Sequence, residues 1–404
     1  MNVVSIIRTT YGGIKREVWL LSLALLINRC GSMVLLFMSV YLTQKLGFSV
    51  AQAGVVMAMF GAGSLVGAFA GGRLVDTFNS YSVMIGSLLL SGVFLVLLGF
   101  MRDYWMIAGC TFMVTLTGDA FRPANTVALA HHTTGADYSR SVGLNRLAMN
   151  LGFTIGPAIG GFLAAINYQL LFFADGLTCA MSALFIYAYF NQRRYPRAAK
   201  VKNDMGKAGS PYQDRRYLFF IIIACLYAIA FFQMISIFPL YYKHDYLLNE
   251  EQIGWLMALN GVSVAIVEMF LITYIRNKWT QFNFMTVGIC LLIAGYLMYI
   301  AFHGIWVLVA VMILFTMSEM LVMSFMATYS MARGQSKSLG EYMGLYSIAW
   351  SIALILSPVI GSQLIEHYGF VTLWLSMIGV SLLTIAGIRY LAAHPDASVT
   401  KDNH

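Results

Sequence analysis

Five ionisable side chains stand in the interior of long apolar runs: Arg29, Asp119, Arg122, Glu268 and Glu319. Arg29 sits in "LLINRCGSMVLLF" and Glu319 in "FTMSEMLVMSF". At the centre of a bilayer a charge costs at least about 2.5–3.5 kcal/mol, so each such group needs a partner or a water-filled cavity. Three kinds of chemistry are open to them. An arginine fork binds a carboxylate in bidentate fashion, a buried carboxylic acid carries a proton, and opposite charges neutralise one another.

Position along the chain sharpens the choice. Arg29 follows Glu17 by twelve residues, roughly 18 Å of helix, which is too deep in a core of about 30 Å for the guanidinium to reach an interface. Asp119 lies fifteen residues after Tyr104 and twelve before His131, also near mid-depth. Arg122 follows at i+3 on the same helix face, and Pro123 is expected to kink the helix just beyond it. Asp119 can pair with either Arg122 or Arg29 in an ionic staple, but one cation is left over. Facing a central cavity, that cation is an anion or carboxylate site.

Glu319, fifteen residues from Gly304 and fourteen from Arg333, is the corresponding acid of the second half, whose spans hold no arginine or lysine other than Arg389 near the end of the last one. It is the first proton-coupling candidate alongside Asp119; a permanently neutral glutamic acid is the alternative. Glu268, eight residues before Arg276, is a further proton candidate or part of a cytoplasmic gate. Asn28, Asn125, Asn150, Tyr227, Gln233, Asn260, Tyr346 and Trp350 are expected to line the substrate cavity with Arg29 and Arg122.

These residues must be positioned by membrane helices. The 404-residue chain is 59% hydrophobic and 10% charged, more apolar than a soluble core of that length can hide. Apolar runs of about 20 residues predict spans near 17–43, 50–72, 81–101, 104–130, 141–166 and 168–191, then 217–242, 251–275, 282–302, 304–331, 341–367 and 370–392. The expected architecture is an all-α integral membrane protein with twelve transmembrane helices in two six-helix halves, 1–191 and 217–404, joined by a basic linker at 192–216. That linker carries Arg193, Arg194, Arg197, Lys200, Lys202, Lys207, Arg215 and Arg216. Loops on its side add Arg73, Arg140, Arg276, Lys278, Arg333 and Lys337, against Lys45, Arg102 and Lys243 opposite. The positive-inside rule makes the linker and both termini cytoplasmic, so the net charge of +8 is a topology signal and no nucleic-acid partner is implied. No cleaved secretory signal is expected at the N-terminus. The five scattered cysteines (Cys30, Cys110, Cys179, Cys225, Cys290) are expected to be buried apolar residues, not disulfides or zinc ligands.

The halves repeat one another. Tyr41, Gly54 and Gly61 recur as Tyr241, Gly254 and Gly261, and Asp119 recurs as Glu319, all at an offset of 200. "GLNRLAMNLGFTIGPAIGG" falls on "GLYSIAWSIALILSPVIGS", bringing Pro157 onto Pro358 and Gly160 onto Gly361 at an offset of 201. Duplicated halves suit alternating access around a midplane site.

With these features the chain resembles the major facilitator superfamily throughout its length. "GRLVDTFNSYS" keeps the Gly72, Leu74 and Asp76 of a signature between the second and third helices, with Thr77, Ser80 and Tyr81 where cations usually stand. "NLGFTIGPAIGG" closely matches the helix 5 signature of the antiporter branches, at Gly152, Gly156, Pro157, Gly160 and Gly161. The resemblance implies a proton-coupled secondary transporter working by alternating access, with Gly72, Asp76 and the helix 5 residues in gating and helix packing. It points to a monomeric exporter of drugs or small metabolites in a bacterial inner membrane, with no cofactor or metal. A midplane arginine on helix 1 with a glutamate on helix 10 also resembles proton-coupled oligopeptide transporters, so import of a short peptide or amino acid is the alternative. Those carriers place glutamates before the arginine, whereas Asn28 precedes Arg29. No nucleophile, phosphate-loop or metal motif suggests an enzyme.

Overall fold

The computed structural model describes residues 13–133, 136–190, 210–275, 279–335 and 339–394; these are helices joined by short turns, with no strand among them. The linker residues Arg193 to Lys207 lie outside the described residues, as do Arg276, Lys278 and Lys337.

Helix starts follow from local chemistry. Ser49 caps Val50–Thr77 reciprocally with Gln52: Gln52 N–H donates to Ser49 Oγ at 3.2 Å, and Ser49 N–H to Gln52 Oε1 at 2.9 Å. Asn249 and Gln252 repeat this exchange, at 2.8 and 3.1 Å, at the start of Glu250–Ile275. Asp103, Asp214 and Thr280 cap Tyr104–Gly118, Arg215–Phe231 and Gln281–Ala301. A cap satisfies one of the orphan donors of a first turn.

Between caps the helices are apolar on all sides. Along Ser80–Leu98, Leu88, Ser91 and Leu95 are buried while Leu89, Leu90, Val93 and Leu97 are exposed, so the outer surface is more apolar than the packed one. That is the pattern of a lipid-facing helix, and small residues accordingly mark the contacts between helices. An added Cβ on Gly71 would come within 2.5 Å of Ala120 Cα, and Gly63 and Gly67, two turns and one turn earlier, press on the backbone of Phe112 and Leu116.

Several of the expected spans are not continuous helices. Span 1 consists of Arg16–Cys30 and Val34–Val40, continued by a π-helical turn at Tyr41–Lys45. Span 4 ends at Gly118 and resumes at Phe121. Its break therefore precedes Pro123, which sits in the first turn of the resumed helix, where a missing N–H costs nothing; the expected kink beyond Arg122 is displaced to Asp119–Ala120. Span 7 divides into Arg215–Phe231, Gln233–Ser236 and Phe238–Asp245. Leu339–Ala393 holds spans 11 and 12, turned at Gly369, whose φ of 78° is left-handed and open to glycine.

Packing divides the chain into two units: Met1–Lys202 with Tyr242–Ala265, and Asn203–Tyr241 with Ile266–His404. The first stretch of span 8 joins the first unit because Gly254 and Gly261 lie against span 5. A Cβ on Gly254 would meet Pro157 O at 2.5 Å, and one on Gly261 would meet Thr154 Oγ1 at 2.5 Å. In the second unit, Arg333 grips Asp214 through two bonds, Nε to Oδ2 at 2.7 Å and Nη2 to Oδ1 at 2.8 Å, and Tyr342 OH donates to the same carboxylate at 2.9 Å. Span 7 is thereby fixed to spans 10 and 11 where the chain enters that unit.

Candidate functional site

Span 1 breaks immediately after its arginine. Span 5 explains why Arg29 can sit so deep: a Cβ on Gly152 would collide with Arg29 Cβ and lie 3.1 Å from its Cα, and one on Gly156 would stand 3.2 Å from Cys30 O. Gly160 repeats the contact one turn on, against Met33 Cβ at 2.9 Å. Only glycines let the two backbones approach this closely. The guanidinium reaches over the Phe153 ring at 5.8 Å, a cation–π distance. Arg29 Nε is buried and has no hydrogen-bond partner.

Of the two possible partners for Asp119, the structure takes Arg122. Arg122 Nε and Asp119 Oδ1 are 2.9 Å apart, with the acid side chain 10% exposed and the arginine 54%. The break in span 4 puts them one short turn apart, with Arg122 N–H donating to Asp119 O at 3.2 Å. Asp119 and Arg122 still act on Arg29 electrostatically, but among the described residues no carboxylate forms an ion pair with it. Asn125, one turn beyond Arg122, is buried with its Oδ1 unpartnered. Asn28 donates through Nδ2 to Cys179 Sγ at 3.5 Å. Asp119 is thus committed to Arg122, and Arg29 Nε and Asn125 Oδ1 are among the buried polar atoms of the first unit left unsatisfied.

The second unit gathers a different set. Tyr227 OH and Ser318 Oγ are 3.1 Å apart, and Glu319 and Tyr346 act electrostatically on Tyr227. Trp350 meets Tyr227, Phe232 and Tyr346 edge-on, with ring centroids 6.3, 5.6 and 5.8 Å away, and its Nε1 is buried without a partner. Four residues singled out from the sequence, Tyr227, Glu319, Tyr346 and Trp350, therefore share one locality. Gln233 lies elsewhere, in the break of span 7: its Nε2 donates to Ser357 O at 3.0 Å, and its Oε1 faces Gly361. Met33 facing Gly160 and Gln233 facing Gly361 are the two copies of one helix contact.

The remaining expectations fall as follows. Asn150 is half-buried on span 5 and Asn260 half-buried on span 8. The side chain of Glu268 lies outside the described residues. A Cβ on Gly161 would meet Glu250 O at 2.6 Å and Gly254 Cα at 2.9 Å, so the span 5 motif is a close-packing surface for both span 1 and span 8. Gly72 has open space around it, and Asp76 is exposed at the end of span 2. Not every cysteine is buried: Cys110 and Cys179 are, Cys30 and Cys225 are half-buried, and Cys290 is exposed, because span 9 turns that face outward.

Two features escaped the sequence reading. Asp175, in "FFADGLT" of span 6, is 2% exposed and bonds to the break in span 1; an acid inside an apolar run was its signal. A second cluster stands at the end of span 7: Lys243 Nζ and Tyr168 OH both donate to Glu250 Oε1, each at 2.8 Å. Burial would raise the Glu250 carboxyl, which lies just outside the 251–275 span, but the bonds from Lys243 and Tyr168 outweigh it and hold the group below the usual carboxylate range. Nearby, Arg102 Nη1 donates to Tyr41 OH at 2.8 Å, and Tyr41 packs against Tyr168.

Apolar helices long enough to cross a membrane, several of them broken beside polar clusters, define an all-α polytopic membrane protein. The profile of the Major Facilitator Superfamily matches residues 21–353, and the chain belongs to that superfamily. It is similar to the MFS-type transporter YqjV of Bacillus subtilis, 23% identical over 368 residues, covering 89% of each chain. Multidrug resistance protein 1 of the same organism is 23% identical over 349 residues, 85% of this chain and 88% of the relative. A Na(+), Li(+), K(+)/H(+) antiporter of Planococcus maritimus is 22% identical over 397 residues, 89% and 91%. Among solved structures, the nucleoside transporter NupG matches with a TM-score of 0.75 at 13% identity, covering 93% of this chain and 99% of that one. A POT family transporter in complex with 5-aminolevulinic acid matches at 0.79 and 11%, covering 94% and 96%. At these identities the structural matches establish the fold.

Proposed function

We propose that this protein is a proton-coupled secondary transporter that exports drugs or small metabolites by alternating access, and that its preferred cargo carries a carboxylate or another anionic group. The observation that carries the reading is Arg29, a cation deep in an apolar span with no acid partner among the described residues and a buried, unpartnered Nε. A substrate anion supplies the missing charge, and bonds to a guanidinium are the stronger, charge-assisted kind. Glu319, beside Tyr227, is the proposed proton carrier, with Asp119, paired with Arg122, as the second candidate acid. The relatives named for multidrug resistance and for cation/proton antiport support export driven by protons. The span 5 glycines and Pro157 act as the surface on which spans 1 and 8 shift. The protein works as a monomer in a bacterial plasma membrane, with both termini cytoplasmic, on substrate and protons alone.

A second reading, import of a small zwitterion such as a short peptide or amino acid, rests on the sequence resemblance to proton-coupled oligopeptide transporters and is supported by the fold shared with a POT family transporter. Transport in proteoliposomes under an imposed pH gradient separates the two. Export predicts proton-driven antiport of an anionic drug or metabolite, lost in Glu319→Gln. Accumulation of a dipeptide with an inward proton gradient would establish the importer. Transport indifferent to the gradient and intact in both Glu319→Gln and Asp119→Asn would refute proton coupling through these acids.

A further inference from the structure

Asp175 has no place in the scheme above, yet it is the most completely enclosed carboxylate among the described residues. It stands on span 6 opposite the break in span 1 and accepts three backbone contacts there: Met33 N–H reaches Oδ1 at 3.2 Å and Oδ2 at 3.1 Å, and Val34 N–H reaches Oδ2 at 2.9 Å. These are the first free donors of the outer segment of span 1, which begins at Val34. On the other side of the break, Gly31 and Ser32 fold back on Asn28 O and Arg29 O, so the inner segment ends on the residue proposed to bind substrate. Span 6 holds that inner segment separately: Ser182 Oγ donates to Ala24 O at 2.8 Å, Cys179 Sγ accepts from Asn28, and a Cβ on Gly31 would collide with Thr178. One face of span 6 therefore grips both sides of the break, and only the grip on the outer side depends on a carboxyl group.

The surroundings leave that group with no cation in contact. From span 1 the ionisable neighbours are Arg29 and Cys30; from span 6 itself they are Cys179, one turn on, and Tyr168, two turns back. Span 3, packed against span 6 at Gly92 and Val96, has no ionisable residue between Ser82 and Leu98. Span 5 has none between Leu147 and Ile166, nor has span 2 between Val50 and Gly72. The Asp175 carboxyl meets only peptide N–H donors at the break, and those contacts weaken when a proton takes one of its oxygens.

We propose that Asp175 is a positioning residue of the transport cycle: its ionised carboxylate clasps the outer segment of span 1, and its protonation opens the clasp, freeing that segment from the segment that carries Arg29. The consequence for the cycle rests on the transporter reading; the clasp itself does not. A proton arriving at Asp175 leaves Met33 and Val34 N–H with a weakened acceptor, and span 1 bends at Gly31–Ser32 while span 6 keeps hold of Ala24 and Asn28.

Hydrogen–deuterium exchange on the full-length protein in lipid nanodiscs, read on peptides covering residues 30–38 between pH 5 and pH 9, tests the clasp without any substrate. After correction for intrinsic amide chemistry, the wild type is expected to show at least a tenfold rise in exchange at Met33 and Val34 as pH falls through a single midpoint. Asp175→Asn is expected to show the raised rate at every pH. Corrected exchange that is flat with pH in the wild type overturns the proposal, as does Asp175→Asn with wild-type protection. The wild-type profile decides even if the variant does not fold. Transport is a separate readout: in proteoliposomes Asp175→Asn is expected to lower the maximal rate about tenfold, leave KM within a factor of two, and flatten the pH profile, with partial recovery in Asp175→Glu. If exchange behaves as expected while no pH gradient drives transport, the clasp stands and the proton-coupled reading of the protein falls.

Discussion

Replacing Arg29 with methionine, which keeps most of its length, separates two roles that a buried arginine can play. Were Arg29 one arm of a buried ion pair, removing it would strand a carboxylate at a cost of about 3–5 kcal/mol. In the structure that carboxylate is already held: Asp119 pairs with Arg122 at 2.9 Å, and the Arg29 guanidinium leaves a buried nitrogen unsatisfied. The substitution then forfeits chiefly the contact over Phe153, worth about 0.5–2 kcal/mol. It also removes an unsatisfied buried donor that itself costs about 1–3 kcal/mol. The net expectation is a stability within about 1 kcal/mol of wild type, or slightly greater. Substrate binding moves the other way. Losing a charge-assisted bond costs about 1.5–3 kcal/mol, which at about 1.4 kcal/mol per decade weakens an anionic substrate roughly ten- to hundredfold. Thermal unfolding followed by tryptophan fluorescence, alongside binding titrations of the purified protein, reads both numbers. A fall in unfolding temperature as large as that of Asp119→Asn, which does strand Arg122, would refute the assignment of Arg29 as the spare cation.

Gly152→Ala is expected to cost about 1–3 kcal/mol by overpacking, since its Cβ meets Arg29 head-on, whereas Gly72→Ala, with nothing within 4 Å, is expected to leave unfolding unchanged; comparable losses from both would show that the span 5 row is not a close contact. The Lys243–Glu250 contact titrates with a definite sign. Because the folded carboxyl lies below its ordinary value of 4.5, the contact contributes fully above that pH and is lost as pH falls through the lower, folded value. Unfolding temperatures measured between pH 3 and pH 7 are therefore expected to decline less steeply at the acid end in Glu250→Gln than in the wild type, and parallel curves would remove the contact from the account.

The spans and their starts were legible because they rest on local chemistry that a single chain displays. Apolar runs of bilayer length, and caps such as Ser49 with Gln52, need no tertiary information. The cluster of Tyr227, Glu319, Tyr346 and Trp350 was legible for a related reason: polar or π-faced residues at mid-depth in different helices are drawn toward one polar interior. What could not be read was continuity. A run such as "LLINRCGSMVLLF" has the same hydropathy whether or not the helix stops at Gly31, so the break that frees Met33 and Val34 N–H stayed hidden, and with it the purpose of Asp175. Likewise Pro123 looked like the cause of a kink, whereas the break in span 4 comes earlier and leaves the proline in a harmless first-turn position. The choice of Arg122 over Arg29 as partner of Asp119 depended on that same break. The row Gly63, Gly67 and Gly71 went unremarked because glycine is common throughout such a chain, and only the approach of span 4 separates these three from Gly72 beside them.

The clamp of Arg333 and Tyr342 on Asp214 has a consequence for how the chain can be divided. Asp214 is at once the N-cap of span 7, through Tyr217 N–H at 3.1 Å, and the anchor of that span to spans 10 and 11. Tyr217, Arg333 and Tyr342 come from the same unit, so a polypeptide starting at Ser210 carries within itself the cap that begins its first helix and the clamp that anchors it. Expressed as two separate genes cut within the basic linker, the second product would tie down its own leading end once spans 10 and 11 are in place.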